Sequence, residues 1–377
     1  MREDGPIKVL VLHWGTRGGG PRFALAQAKA FARRSDVETY VSYNTRAELA
    51  SDFSVVGMGS HPVATYRKKS GVVRLDRWVV VMFGLLRYIR ANRIDAVYSP
   101  MFSLWQSPVT PFIRAIGIPV IASIHELTEH EGDQHLANRV CTSIDLHFSS
   151  FIVAYSAAVE DDLIARGIKR RRIIRSFHGV DDKPTRPRSA PARPAVIGFF
   201  GRILEYKGLP LFGEAIARLK SDGHAVRGIV FGDSEEDPSS LIKSAPQLEW
   251  NVGWIPEQDV DGIVGSFDVL VLPYISASQS GVLAVAAGLG VPAVVTPVGG
   301  LVEQIARLGG GLVAREVSPE AIAEAVGDLL SDNSLYAALS NSALNSAGSS
   351  MSWDQSLRPI VTAMTSPNHN KGDRAHV

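Results

Sequence analysis

Short apolar runs rich in β-formers, each passing into a turn and then a helix-like stretch, recur along nearly the whole chain and leave little choice of fold. That alternation is the unit of a parallel sheet with crossover helices. In the first half the runs fall at 7–13, 38–42, 96–99, 120–124 and 152–155. In the second they fall at 196–200, 228–231, 269–273 and 293–296, with helical patterns at 209–220, 259–266, 283–289 and 319–331. The fold class is α/β, with two doubly wound, Rossmann-like domains facing a central cleft.

Between the two sets, Lys183-Pro-Thr-Arg-Pro-Arg-Ser-Ala-Pro-Ala-Arg-Pro194 carries four prolines and almost nothing apolar. Proline fixes φ, so the segment reads as a semi-rigid linker. The domain plan is then 1–182, a linker at 183–194, a second domain at 195–352, a helix at 353–366 packing back on the first domain, and a disordered polar tail at 367–377. A length of 377 residues suits two cores better than one. Ligands of open α/β sheets bind beyond the carboxyl ends of the strands, which places a site in the cleft.

Lys and Arg number 39 against 38 acidic residues, a balance that argues against a dedicated nucleic-acid binder. The single cysteine, Cys141, excludes an intrachain disulfide and a cysteine zinc site, and points to a reducing, cytoplasmic setting. The apolar stretch 78–86 is about half of what spans a bilayer. In the segment 66–93, Arg67, Lys68, Lys69, Arg74 and Arg77 precede an apolar centre and Arg87, Arg90 and Arg93 follow it. It reads equally as a peripheral contact with an anionic membrane surface or as a buried helix with solvated ends.

Two strand-to-helix turns carry chemistry. After the first strand comes Gly15-Thr-Arg-Gly18-Gly19-Gly20, with Pro21 opening a helix. The backbone there can approach a ligand closely, and the N–H groups of Gly18, Gly19 and Gly20 suit a phosphate or an acceptor hydroxyl. The Gly-x-Gly-x-x-Gly spacing of a dinucleotide fingerprint is missing. The second domain opens with Gly201-Arg202-Ile-Leu-Glu205-Tyr206-Lys207-Gly208. Two cations in one turn at a strand's carboxyl end suit a diphosphate, Arg202 as a fork and Lys207 as a point charge.

Taken in order, the landmarks resemble the retaining glycosyltransferases of family 4, which have the GT-B fold. They are the early glycine loop, Asp95-Ala-Val-Tyr98, His125-Glu126, Val153-Ala-Tyr-Ser156, His178-Gly-Val-Asp181, the Gly201 to Gly208 turn, Gly253-Trp254-Ile255, Asp268-Val-Leu-Val-Leu-Pro273, Gly290-Val-Pro292 and Val298-Gly-Gly-Leu-Val-Glu303. The resemblance implies transfer of a hexose from a UDP- or GDP-linked donor to a saccharide or lipid-linked acceptor, in polysaccharide or cell-envelope glycan synthesis. It implies that Arg202 and Lys207 grip the donor diphosphate, that His125 faces the transferred sugar, and that Trp254 and Ile255 edge the base pocket. Glu303 joins the donor-binding set, and no metal cofactor is implied. Without the resemblance, His125 reads as a satisfied histidine at the end of a buried strand.

One departure stands out. The family's Glu-x7-Glu pair falls here on Ala277 and Val285. In its place Ser278-Gln279-Ser280-Gly281-Val282 resembles a Gln-Ser-Gly variant, and the backbone N–H groups of Ser280, Gly281 and Val282 are expected to hold phosphate or sugar oxygens. Asp259-Val-Asp261 has metal-like spacing but falls on a helix, where residues two apart do not share a face. The run Glu235-Glu-Asp237 reads as a solvated loop. Two rival classes stay open: a nucleotide-sugar epimerase on the same fold, and a non-catalytic protein that kept the fold and lost its donor.

Overall fold

The computed structural model describes residues 5–65, 74–127, 136–234 and 236–366. The N-terminal sheet is built from β1 (Ile7–His13), β2 (Val37–Asn44), β3 (Gly59–Val63), β4 (Ala96–Ser99), β5 (Val120–Ile124), β6 (Phe151–Ala154) and β7 (Ile173–Arg175). Its order is β3-β2-β1-β4-β5-β6-β7, all parallel. The crossover elements are α1 (Gly19–Ala32), α2 (Ala50–Ser54), α3 (Leu75–Asn92), α4 (Thr110–Ala115), α5 (Leu136–Phe148) and α6 (Ala157–Ala165).

The second sheet comprises β8 (Ala195–Phe200), β9 (Val226–Gly232), β10 (Leu248–Val252), β11 (Val269–Leu272), β12 (Ala293–Val295) and β13 (Gly311–Val313), ordered β10-β9-β8-β11-β12-β13. Its helices are α7 (Leu209–Ser221), α8 (Ser239–Ser244), α9 (Glu257–Gly265), α10 (Gly281–Gly288), α11 (Gly300–Leu308), α12 (Pro319–Ser331) and α13 (Asn333–Ala347). The last helix, α14 (Trp353–Thr365), lies on the first domain. In both sheets the first strand is central and the chain winds outward to either side, so the strand order reverses beside it.

Because helices cover both sheet faces, the strands are apolar on both sides, and their period-2 geometry sorts residues between two cores. Val9 and Val11 of β1 pack with α1 and α14, whereas Leu10 and Leu12 pack with α3 and α4. In α14, Leu357, Ile360, Val361 and Met364 recur at helical spacing and are buried against the N-terminal core. Ser176 Oγ donates to the Ser356 carbonyl at 2.7 Å, and Trp353 Nε1 to Asp181 Oδ1 at 2.9 Å. The last described helix thus packs on the domain that holds β1.

Several elements lie outside the apolar runs noted above. Strands β3, β7, β10 and β13 are sheet-edge or near-edge strands with mixed composition, such as Gly-Ser-His-Pro-Val in β3. Edge strands bury less side-chain area, so periodicity says little about them. The proline-rich segment 183–194 is strapped to the second domain. Arg188 donates to the carbonyls of Gly265 and Phe267, each at 2.6 Å, which caps the end of α9. Within segment 66–93, Leu75–Asn92 form α3, buried along one stripe only. Arg67, Lys68, Lys69, Glu235 and the tail 367–377 lie outside the described residues.

Candidate active site

The carboxyl ends of the two sheets enclose a cavity of about 370 Å³. Its lining includes Gly18, Gly19, Gly201, Arg202, Lys207, Trp254, Ile255, Gln279, Ser280, Gly281 and Val282. Three other expected residues, Gly20, His125 and Glu303, do not line it.

One wall is the turn after β8. The turn is pinned by backbone bonds from Gly201 N to Phe231 O at 3.0 Å, Ile203 N to Asp233 O at 2.8 Å and Ile275 N to Tyr206 O at 2.8 Å. Gly208 closes it at φ 66, with the position of a Cβ only 1.9 Å from the Pro273 carbonyl, so no other residue fits. The Lys207 ammonium sits 3.7 Å from the centre of the Tyr274 ring and 4.6 Å from that of Tyr206. Burial lowers the Lys207 pKa, with the Tyr206 hydroxyl working in the opposite direction. A desolvated cation on the cavity wall gains most from an anion placed beside it.

The second wall is the turn into α10. Here the structure corrects one expectation: the Ser280 N–H is consumed. It donates to Gln304 Oε1 at 3.0 Å, and Gln304 Nε2 returns a bond to the Ser280 carbonyl at 2.9 Å. The open donors at this helix start are therefore those of Gly281 and Val282, which lack an acceptor one turn earlier. Gln304 lies in α11, far along the chain, and nothing in the local pattern singles it out. Val285 lines the cavity and Ala277 is buried, so the two missing carboxylates leave apolar surface. Asp181, Asp233 and Glu257 bring carboxylates to the lining from elsewhere.

His125 follows β5 and is held on both ring nitrogens. Nε2 donates to the Pro100 carbonyl at 2.9 Å, and Nδ1 accepts from Gln279 Nε2 in the opposite domain. Burial pushes its pKa down to about 4, so the ring is neutral at pH 7. Phe23 meets it edge-on at 4.5 Å, and the Tyr155 ring lies tilted against it at 5.1 Å. Tyr155 is fixed in turn by a buried set in which the Tyr98 hydroxyl meets Tyr155 Oη at 2.8 Å and Ser123 Oγ at 2.9 Å. Gln279 stands between His125 and the cavity, and its Oε1 is buried without a partner.

Glu303 lines a small adjoining pocket that shares Gln279 and His178 with the cavity. It accepts from the Ala157 N–H at 2.9 Å, at the first turn of α6, and pairs with Arg175 and with Arg307 at 3.1 Å. A carboxylate at a helix N-terminus complements the helix dipole, and here it joins the two domains. A similar latch closes the other side. Arg22 of α1 reaches Glu257 at 2.7 Å and Asp261 at 2.6 Å, and Lys183 also meets Asp261. The metal-like Asp259-Val-Asp261 spacing thus holds a cross-domain salt bridge; among the described residues no cluster of His, Cys, Asp or Glu is arranged to hold a metal. Arg17 lies over the Trp254 ring at 5.5 Å. Gly20 is buried, and a Cβ there would meet Met101 Sδ at 2.9 Å.

Among the described residues no helix is long and apolar enough to cross a membrane. The profile described as Glycosyltransferase Family 4 matches residues 17–183, and that described as Glycosyl transferases group 1 matches residues 194–332. The chain is 29% identical to a D-inositol 3-phosphate glycosyltransferase of Corynebacterium urealyticum over 45% of its own length and 43% of that protein's. It is 28% identical to a 2-deoxystreptamine glucosyltransferase of Streptomyces kanamyceticus over 36% of each chain. These matches span less than half of either relative. Anabaena Alr3699/HepE, solved with UDP and glucose, superposes with a TM-score of 0.70 at 16% identity, covering 96% of this chain and 100% of that one. That likeness establishes the shared fold. With one profile on each domain and the GT-B architecture across both, the chain belongs to glycosyltransferase family 4.

Proposed function

We propose that the protein transfers a hexose from a nucleoside-diphosphate sugar to a saccharide or lipid-linked acceptor, with retention of configuration and without a metal. The observation that carries this reading is the Lys207 ammonium, desolvated against Tyr274 on the cavity wall, in the same turn as Arg202. Breaking a sugar–phosphate bond builds negative charge on the departing diphosphate. Fixed cations and the N–H groups of Gly281 and Val282 are the kind of preorganised donors that stabilise it. The names of the two curated relatives, and the UDP and glucose held by the Anabaena protein, support the same substrate class.

In the proposed step the acceptor hydroxyl oxygen bonds to the anomeric carbon on the face from which the diphosphate departs. The carbon–phosphate oxygen bond breaks, and the acceptor proton passes to that leaving oxygen. Neutral His125, itself held by Pro100, positions Gln279, the side chain that lines the cavity, and carries no proton through the step.

The test is a melting-temperature panel with UDP, GDP and ADP, followed by turnover with the matching sugar nucleotides. One nucleotide should stabilise the wild type by mass action, and Arg202→Ala and Lys207→Ala should each abolish that shift. Stabilisation by no nucleotide, or an unchanged shift in both variants, overturns the reading. Conversion of donor alone to its epimer would assign an isomerase instead.

A further inference from the structure

Helix α3 packs on its sheet through Met82, Leu85, Leu86 and Ile89, and a helix on a sheet needs only one such stripe. It carries a second. Leu75, Val79, Val80 and Phe83 are 70, 39, 72 and 62% exposed. Leu75, Val79 and Phe83 follow one another at the four-residue helical spacing, and the same line continues into Arg87 and Arg90, both exposed.

The surface does not stop at α3. A groove lies between Phe83 and Arg87 on one side and Phe112 of α4 on the other. Phe112 is 43% exposed, and its ring meets Trp78 of α3 at 5.9 Å, so the two helices present a continuous face. Beyond α4, Leu136 and Val140 of α5 are 77 and 50% exposed. Contiguous apolar surface of this kind marks an interaction site.

Charge selects the partner. Arg77, Arg87, Arg90 and Arg93 are all exposed along α3 and its end. The single acid of α3, Asp76, is held by two bonds from Arg74. Helix α4 has no acid, and the single acid of α5, Asp145, is buried beneath the hydroxyls of Ser107 and Thr110. Among the described residues of these three helices, the face therefore offers apolar side chains and a cationic rim with little to oppose it. An anionic bilayer matches both properties at once, with phosphates at its surface and acyl chains beneath.

We infer that the α3–α4 face docks on an anionic lipid bilayer, with Val80, Phe83 and Phe112 entering the headgroup boundary and Arg87 and Arg90 pairing with lipid phosphates. This inference is independent of the transfer chemistry.

The experiment is co-sedimentation of the full chain with phosphatidylcholine vesicles, with and without phosphatidylglycerol. The wild type is expected to pellet with the anionic vesicles alone, and less so as salt is raised. The double variants Phe83→Asp/Phe112→Asp and Arg87→Glu/Arg90→Glu are each expected to lose at least tenfold in partitioning. All four residues are exposed or half-exposed, so both variants should keep the wild-type melting temperature. A wild type that stays in solution, or variants that bind as the wild type does, overturns the inference. So does a wild-type dimer in the absence of lipid that Phe83→Asp converts to a monomer, since a second copy would then cover the face.

Discussion

Gln279 in the second domain donates its side-chain N–H to Nδ1 of His125 in the first, while His125 Nε2–H is committed to the Pro100 carbonyl at 2.9 Å. The imidazole is therefore fixed in one tautomer, and only across a closed cleft. Gln279→Glu would set an acceptor against an acceptor unless the ring gains a proton. Its kcat should fall about tenfold to a hundredfold near pH 8, the cost of a lost buried hydrogen bond, and recover partly as pH is lowered. Gln279→Met should lose as much with no recovery. Matching pH profiles for the two variants would sink this account of His125.

Stability should fall in acid. Burial pushes the imidazoles of His13, His61, His125 and His178 down to about 4 each. The unfolded chain titrates near 6.5, so between about 6.5 and 4 it holds protons that the folded chain lacks. Stability from these groups is complete above 6.5 and is lost as pH falls toward 4. Asp145 opposes this. Burial raises it to about 6, so in part of the same window the fold keeps a proton that the unfolded chain releases. Four groups against one leave a net loss, readable as a melting temperature that drops between pH 6.5 and 4.5. A flat profile across that range would contradict the burial of these rings.

Glu303→Ala should lower the melting temperature by a few degrees, since it removes the carboxylate that joins Arg175 and the first turn of α6 to α11. Nucleotide affinity should stay within about twofold of wild type, because the Glu303 carboxylate is spent on the other domain. Calorimetric titration with the stabilising nucleotide decides. Lost affinity with unchanged melting would return Glu303 to the donor site.

Gln304→Leu should cost about 2 kcal/mol or more, because it leaves the buried N–H and C=O of Ser280 unpaired. The start of α10 would then shift, and donor affinity should fall about tenfold even though Gln304 does not line the cavity. Denaturant unfolding together with the same titration checks both halves. Intact affinity in a destabilised variant would confine Gln304 to a stability role.

The α/β class was legible because each strand buried on both faces must be apolar throughout, and each crossover helix must carry a stripe, whatever its neighbours are. The same holds for the turn at Gly201 to Gly208. Strand, glycine and two cations sit within one local segment, and the backbone alone brings Arg202 and Lys207 to the cavity. The edge strands β3, β7, β10 and β13 were not legible, since little of their surface is buried in the core.

Other assignments had no local signal. Glu303 resembles a donor residue in its motif, yet it caps a helix of the other domain. Asp261 has metal-like spacing, yet it receives Arg22 and Lys183. Gln304 takes the Ser280 N–H that its position before α10 would otherwise offer to a ligand. In each case the deciding partner lies far away along the chain. A side chain's chemistry is written in its own residue and that of its near neighbours, but which group meets it is settled when two domains close and every buried donor and acceptor must find a partner.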